Sequence, residues 1–171
     1  MHLHRRALLG ATALLLATVA AGGCRFPYSL NGGGLPTDIR SVAIIPFDNE
    51  TPSPEVQQEL NQALRSSFSS KLGLKEASED KASAVVRGKI VKYDLDVATG
   101  FSANPAQATT SRRQLQITVH VEIFDQIHNR TLWTKEVTEV GDYPEGGEAQ
   151  GRKSAIDKIV TGVIQGAQSN W

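Results

Sequence analysis

The sequence predicts an α+β fold, a two-layer sandwich in which two helices pack on a mixed four-stranded sheet in the order β-α-β-β-β-α. Residues 53–72 and 148–167 each place apolar side chains at helical spacing along one side. Between them, residues 115–123 alternate between apolar and polar, which is typical of a half-buried strand. An apolar sheet face and two apolar helix stripes can bury one another.

The first two strands flank the first helix. Residues 39–47 contain the continuous apolar run Val42-Ala43-Ile44-Ile45, which favours a strand covered on at least one face. Residues 84–97 are strand-like, but their apolar positions change side partway, so we expect either a β-bulge or a change in which face is covered near Ile90. Because the connection passes through a helix, these two strands should be parallel if they pair.

The first helix carries its own start and stop signals. Ser53 and Pro54 suit an N-cap and a first-turn proline, and Gly73 supplies the stop. We expect its apolar stripe to be core rather than a partner groove; its members are Val56, Leu60, Ala63, Leu64, Phe68 and Leu72.

The remaining elements complete the sheet and add the second helix. Residues 98–113 are predicted to be a loop between strands, residues 131–140 form the fourth strand, and Gly141–Gly147 should break the strand pattern. The last three strands should form an antiparallel meander. Three glycines weaken the second helix, so we expect packing to hold it; its apolar stripe consists of Ala155, Ile156, Ile159, Val160, Val163 and Ala167.

The first 23 residues have the pattern of an export signal. Arg5 and Arg6 precede an uncharged apolar stretch over residues 7–21, which is shorter than the ~20 residues that a membrane-spanning helix needs. Ala21-Gly22-Gly23-Cys24 resembles a lipobox, although Ala21 stands where Leu is commonest. We therefore predict signal peptide 1–23, lipid-anchored tether 24–38 and a single periplasmic domain 39–171. Cleavage by signal peptidase I in the same region is the alternative.

Cys24 is the predicted lipidation site. It is the only cysteine, so an intramolecular disulfide is excluded, and acylation would remove an exposed thiol from an oxidising compartment. Two or more acyl chains give stable anchoring. Arg25 follows the cysteine, and the absence of Asp there argues, by resemblance to bacterial sorting rules, for the periplasmic face of the outer membrane.

Composition argues against nucleic-acid binding and catalysis. Once Arg5 and Arg6 are removed with the signal, the chain carries two fewer cations than anions, so nucleic acid is an unsuitable partner. The sequence has no phosphate loop or metal-spaced Cys/His cluster. We expect His120 and His128 to be ordinary strand and turn residues, and we predict no enzyme activity and no cofactor.

Arg112 and Arg113 are the candidate ligand-binding residues. They lie at the mouth of the predicted hairpin loop, and guanidinium groups suit phosphate binding. Ordinary surface charge, which serves solubility, is the alternative interpretation.

The chain resembles the lipopolysaccharide-assembly lipoprotein (LptE) family over nearly all of the predicted mature region. The matching features are Cys24 followed by Tyr28-Ser29-Leu30, Gly34-Leu35-Pro36, Ile39, Val42-Ala43-Ile44, Phe47 and Asn49, the strand from Arg113 to Val119, Phe124-Asp125, Asp142-Tyr143 and Trp171. The order and spacing of these motifs are more specific than any one of them.

The resemblance implies an outer-membrane lipoprotein that plugs, and helps to fold, the LptD-type β-barrel translocon of lipopolysaccharide, and that can itself contact lipid A. Basic residues for lipid contact have no fixed motif in this family, so Arg112 and Arg113 are chosen by position alone. The alternative is a lipoprotein of the curli-secretion or penicillin-binding-protein-activator type, whose opening strand is similar to Val42-Ala43-Ile44-Ile45-Pro46-Phe47.

Overall fold

Two helices and a six-stranded mixed sheet make up the part of the chain that the computed structural model describes, residues 35–95 and 113–169. These residues belong to one folding unit, residues 32–171. The elements are β1 (Ser41–Ile44), β2 (Asp48–Asn49), α1 (Pro54–Leu72), β3 (Lys75–Glu76), β4 (Ala84–Asp94), β5 (Arg113–Asp125), β6 (Arg130–Tyr143) and α2 (Glu148–Ser169).

The sheet confirms the predicted mixed topology. Its strand order is β3-β1-β4-β5-β6, and β2 also pairs with β4. β1 runs parallel to both β3 and β4, while β4, β5 and β6 form an antiparallel meander. Since α1 connects β1 to β4, the parallel pair forms through a helical crossover.

The predicted bulge lies in β4. The register with β5 shifts between Ile90 and Lys92, so that Ile90 pairs with Val119 and Tyr93 pairs with Ile117. Without the shift, Tyr93 would point to the opposite side of the sheet from Ile90. The bulge therefore keeps Tyr93 on the side that the helices cover.

One face of the sheet and both helix stripes form the core. In α1, Val56, Leu60, Leu64 and Phe68 are at most 1 % exposed, which confirms that this stripe is core. The α2 stripe is buried in the same cluster, as are the apolar residues of β5; these are Leu115, Ile117, Val119, Val121 and Ile123.

The ends of α1 follow the sequence signals with one exception. Pro54 begins the helix, and Gly73 ends it in a left-handed conformation with a φ of 67°. Ser53 occupies the N-cap position, but its side chain makes no capping hydrogen bond. The boundary was predicted correctly, while the expected side-chain contact is absent.

The sheet differs from the prediction in strand number and in the length of β6. β2 and β3 are additional strands of two residues each, too short to show a period in the sequence. β6 continues to Tyr143, so the strand break predicted at Gly141 is wrong. Gly141 pairs with Leu115 and lies against the backbone of Gly151 in α2, where a Cβ atom would overlap the Gly151 carbonyl oxygen. The close packing of Gly141 against Gly151 explains why β6 extends past Gly141 and why α2 has a glycine at position 151.

Candidate functional site

Arg113 lies at the end of the sheet where β4 ends and β5 begins. As the first residue of β5, it pairs with Tyr143, the last residue of β6. We call this the hairpin end, and we call the opposite end, with the β5–β6 turn at residues 126–129, the turn end. Arg112 and Cys24, the other predicted site residues, lie outside the described residues.

The Arg113 side chain faces solvent and already has an acidic partner. Its guanidinium is 43 % exposed, and Nη2 donates to Glu145 Oε1 at 3.4 Å. In the next residue pair of the same two strands, Gln114 Nε2 donates to Asp142 Oδ1 at 2.5 Å. A phosphate that approaches Arg113 therefore has to compete with Glu145.

A second arginine, Arg152 of α2, is held inside the hairpin end. Its side chain is only 12 % exposed and makes a forked contact with Glu59 of α1, with Nη2 2.9 Å from Oε1 and Nε 3.1 Å from both carboxylate oxygens. Arg152 Nη1 also lies 3.3 Å from Glu148 Oε1, which accepts a 2.5 Å hydrogen bond from the Tyr93 hydroxyl. These contacts join α1, α2 and β4 at one point.

The surroundings of Tyr93 and Arg152 favour one protonation state of each. Burial, together with the hydrogen bond to Glu148, raises the pKa of Tyr93 to about 12. The hydrogen bond to Glu59 raises the pKa of Arg152 further above its usual range. A neutral hydroxyl and a charged guanidinium are therefore favoured near pH 7, which suits contacts that hold α1, α2 and β4 together.

The turn end contains a polar cluster around Asp125. The Asp125 side chain is fully buried and accepts hydrogen bonds from the backbone N–H groups of Ile127 at 2.9 Å and His128 at 3.1 Å. His128 Nδ1 lies 2.7 Å from the other carboxylate oxygen, and His128 Nε2 lies 3.4 Å from Asp38. His128 is therefore a structural turn residue that also contacts the segment before β1.

The charge of Asp125 is maintained by these contacts. Burial alone would raise the pKa of the Asp125 carboxyl, but hydrogen bonds from the His128 ring and from the two backbone N–H groups outweigh it and lower that pKa. The turn end therefore holds an anion, whereas the hairpin end holds a buried cation.

The face of the sheet opposite the helices is polar along β5 and β6, and it carries a small apolar cluster of Ala43, Ala82 and Val85 on the side of β1 and β4. We call it the open face. Glu122 of β5 accepts from Arg87 at 2.8 Å, and Arg87 also lies over the Phe124 ring at 5.4 Å. Nearer the sheet centre, the Thr118 and Thr138 hydroxyls are 3.0 Å apart. The open face therefore combines amide and hydroxyl side chains on β5 and β6 with oppositely charged side chains that pair with each other.

The described residues offer neither a metal cluster nor a membrane-crossing helix. Within 35–95 and 113–169, no three His, Cys, Asp or Glu side chains are grouped so that they could hold a metal ion. No helix in these ranges is long and apolar enough to cross a membrane.

A family model assigns the chain. The model of the LptE family, described as lipopolysaccharide-assembly, matches residues 39–165, which is most of the chain and nearly all of the folded domain. The chain belongs to the LptE family. The family match favours lipopolysaccharide assembly over the curli-secretion or penicillin-binding-protein-activator alternative. No curated protein sequence shows significant similarity to this LptE family member.

Solved structures show that the fold occurs in other bacterial proteins. The PelC dodecamer from Paraburkholderia phytofirmans is 15 % identical, with a TM-score of 0.56 over 80 % of this chain and 95 % of that chain. Protein XCC0632 from Xanthomonas campestris is 8 % identical, with a TM-score of 0.54 over 77 % and 87 % of the two chains. The hypothetical protein CT253 from Chlamydia trachomatis is 14 % identical, with a TM-score of 0.51 over 74 % and 94 %. At these identities the likeness concerns the fold alone.

Proposed function

We propose that this LptE family member is a non-enzymatic outer-membrane lipoprotein that plugs, and helps to fold, an LptD-type β-barrel translocon of lipopolysaccharide. In this proposal residues 1–23 are removed, Cys24 carries the lipid at the periplasmic face, residues 24–38 form a tether, and residues 39–171 form the functional domain. The observation that carries the proposal is the family match over residues 39–165.

The lengths of the two longest strands suit a plug. β5 has 13 residues and β6 has 14, so at the usual rise per residue each strand is roughly 40–45 Å long. The apolar band of an outer-membrane barrel is about 25 Å tall. A domain with strands of this length can occupy the barrel over the full height of that band.

The open face is the surface that we propose for contact with the barrel. Barrel interiors are polar, and the open face offers matching groups, such as the half-buried Gln116 and the bonded hydroxyls of Thr118 and Thr138. Burying these groups against an apolar surface would leave their hydrogen bonds unsatisfied. A polar wall can satisfy them directly or through water.

Copurification from detergent-solubilised outer membrane tests the partnership. The tagged chain should capture a large β-barrel protein at equal stoichiometry. Gln116→Arg, on the open face, should reduce the recovered barrel, while Gln62→Arg, the same change on the exposed side of α1, should leave recovery unchanged. Recovery of a ring of identical subunits without a barrel would contradict the proposal and support the alternative lipoprotein class.

The anchor is tested at Cys24, the only cysteine of the chain. Wild-type protein should incorporate a fatty-acid analogue during metabolic labelling, and Cys24→Ala should abolish incorporation and leave a soluble or uncleaved precursor. Labelling of neither protein would show that residues 21–24 are not a lipidation site.

Contact with lipid A is proposed at Arg112 and Arg113. Charge-assisted hydrogen bonds to phosphate are worth ~1.5–3 kcal/mol when shielded and less at exposed sites. The double change Arg112→Glu and Arg113→Glu should therefore weaken lipopolysaccharide binding about tenfold, whereas Glu145→Gln, which removes one negative charge next to Arg113, should strengthen it.

A second double charge reversal distinguishes lipopolysaccharide binding at Arg112 and Arg113 from a general effect of net charge. Lys71→Glu with Lys75→Glu changes two exposed cations at the turn end and should leave lipopolysaccharide binding unchanged. Equal losses in both double variants, with unchanged circular-dichroism spectra, would mean that binding depends only on net charge.

A further inference from the structure

The two edges of the sheet differ in how their backbone groups are satisfied. Along the β1 edge, β3 pairs with the start of β1, and the Ala77 N–H donates to the Val42 carbonyl at 3.0 Å. Arg65 Nη2 donates to the Ile44 carbonyl at 3.0 Å, and Gln57 Nε2 donates to the Phe47 carbonyl at 2.6 Å. The protein's own residues therefore close this edge.

The β6 edge is open by comparison. β6 has 14 residues and pairs only with β5 in the described sheet. On its outer side Lys158 Nζ donates to the Val140 carbonyl at 2.7 Å. Because alternate residues of a strand direct both backbone groups to the same side, Thr134, Glu136 and Thr138 also direct theirs outward. A long row of such groups is a template for pairing with another strand.

Two complementary charges flank the middle of this edge. Lys135 and Glu139 lie on the helix side of β6, two residues before and two residues after Val137. Lys135 is exposed and Glu139 is half-buried. Within the ranges 35–95 and 113–169, neither side chain has an ion-pair or hydrogen-bond partner. These two charges are therefore available to an incoming strand.

We propose that a second copy of this chain pairs with β6 through its own β6, antiparallel and centred on Val137. In this register Lys135 of each copy lies opposite Glu139 of the other, which gives two ion pairs, and Glu136 lies opposite Thr138. Pairing centred on Glu136 or on Glu139 would instead set like charges directly opposite each other. Charge complementarity therefore favours a second copy of this chain as the partner, and it also fixes the register in which the two β6 strands pair.

A groove beside the edge can accept the incoming lysine. It has a volume of about 630 Å³ and lies along α2, where Glu139 shares its wall with Asp157 and Thr161. Lys158 also lines it and holds the Val140 carbonyl, which the N–H of the second copy's Thr134 would require in this register. Lys158 must leave the Val140 carbonyl before the second copy can pair there, which weakens the pairing. We therefore expect a reversible dimer whose population depends on protein concentration. The inference is independent of the proposed barrel partner.

Charge-reversal variants of the full-length lipidated chain test the proposal. Sedimentation velocity is measured over a concentration series, with detergent micelles in large excess over protein. Wild-type chain should form dimers, and Lys135→Glu or Glu139→Lys alone should weaken dimerisation about tenfold or more, because both ion pairs become repulsive contacts. An equimolar mixture of the two variants should form heterodimers, and the double variant should dimerise as wild type does.

Glu136→Lys is the matched control, since it makes the same charge change as Glu139→Lys on the same strand but faces Thr138. It should retain wild-type dimerisation, and circular dichroism should show that every variant is folded. A wild-type chain that stays monomeric throughout the series would overturn the proposal. So would single variants that associate as strongly as wild type, because shared micelles or another interface would then explain the association.

Discussion

The two ends of the domain each bury one charge, but they satisfy it in different ways. At the turn end, Asp125 is bound by groups two and three residues later in the chain, at Ile127 and His128. At the hairpin end, Arg152 is bound by Glu59, which is 93 residues away and on the other helix. One cluster is formed by a local turn, and the other depends on the assembled fold.

This difference determines how much a substitution at each end should lower the stability of the fold. A turn can retain its local shape with a weaker acceptor, because its donors are fixed by adjacent residues. A contact between elements that are distant in sequence holds those elements together, and its loss leaves a second buried or half-buried charge without its partner. We therefore expect Arg152 to contribute more to global stability than Asp125.

A substitution in the core that both ends share should cause the largest loss of stability. Leu64 of α1 is fully buried, so Leu64→Ala should lower the free energy of unfolding by ~2–5 kcal/mol, the usual effect of a large-to-small core change. Chemical denaturation measures this directly. An unchanged unfolding midpoint would mean that the α1 stripe is not core in solution.

Removal of the buried arginine should have the next largest effect. Arg152→Met keeps the apolar stem of the side chain but leaves Glu59 and Tyr93 without their guanidinium contact, so we expect a loss of about 2–3 kcal/mol in chemical denaturation. Lys153→Met is the matched control, since Lys153 is highly exposed and, among the residues that the structure describes, pairs only with Asp157 one turn later. If both variants unfold at the same denaturant concentration, the cluster does not join the helices.

The smallest effect is expected at the turn, and it should depend on pH. Asp125→Asn keeps an acceptor but removes the charge, which should cost about 1–2 kcal/mol near pH 7. The pKa of Asp125 is lowered in the folded protein, so its carboxylate stabilises the fold above the ordinary pKa of 3.8 and loses that contribution as the pH falls through the folded value.

The stability difference between wild type and Asp125→Asn should therefore be largest near neutral pH and shrink as the pH falls below the ordinary pKa of 3.8. Asp142→Asn, the same change at an exposed carboxylate bonded to Gln114, should cost less stability near pH 7 than Asp125→Asn does. A difference between wild type and Asp125→Asn that stays constant as the pH falls would show that the charge of Asp125 does not stabilise the turn.

The same distinction between local and distant contacts explains how much of the fold could be predicted. Helical spacing identified both helices, and strict alternation identified β5, because each pattern repeats within one element. β2 and β3 have two residues each, so they form only because β4 and β1 provide hydrogen-bonding edges. β6 continues through Gly141 because Gly151 packs against it, a contact between residues of different elements.

The site was less accessible to prediction for the same reason. Strand order predicts that Arg113 lies where β4 and β5 meet the loop between them, but the structure places it in β5 rather than in the predicted loop of residues 98–113. Its pairing with Glu145 could not be predicted, because the end of β6 was placed too early. Arg152 resembled any surface arginine of an amphipathic helix. The signal at Asp125 was local, since an Asp before a turn commonly accepts backbone hydrogen bonds.

The central claim, that this LptE family member serves lipopolysaccharide assembly at the cell surface, is tested most directly by depletion and complementation in its own bacterium. Surface lipopolysaccharide is measured by labelling intact cells while the protein is depleted. We predict that surface lipopolysaccharide falls and is restored by wild-type protein. Normal surface lipopolysaccharide in cells that lack the protein would contradict the account.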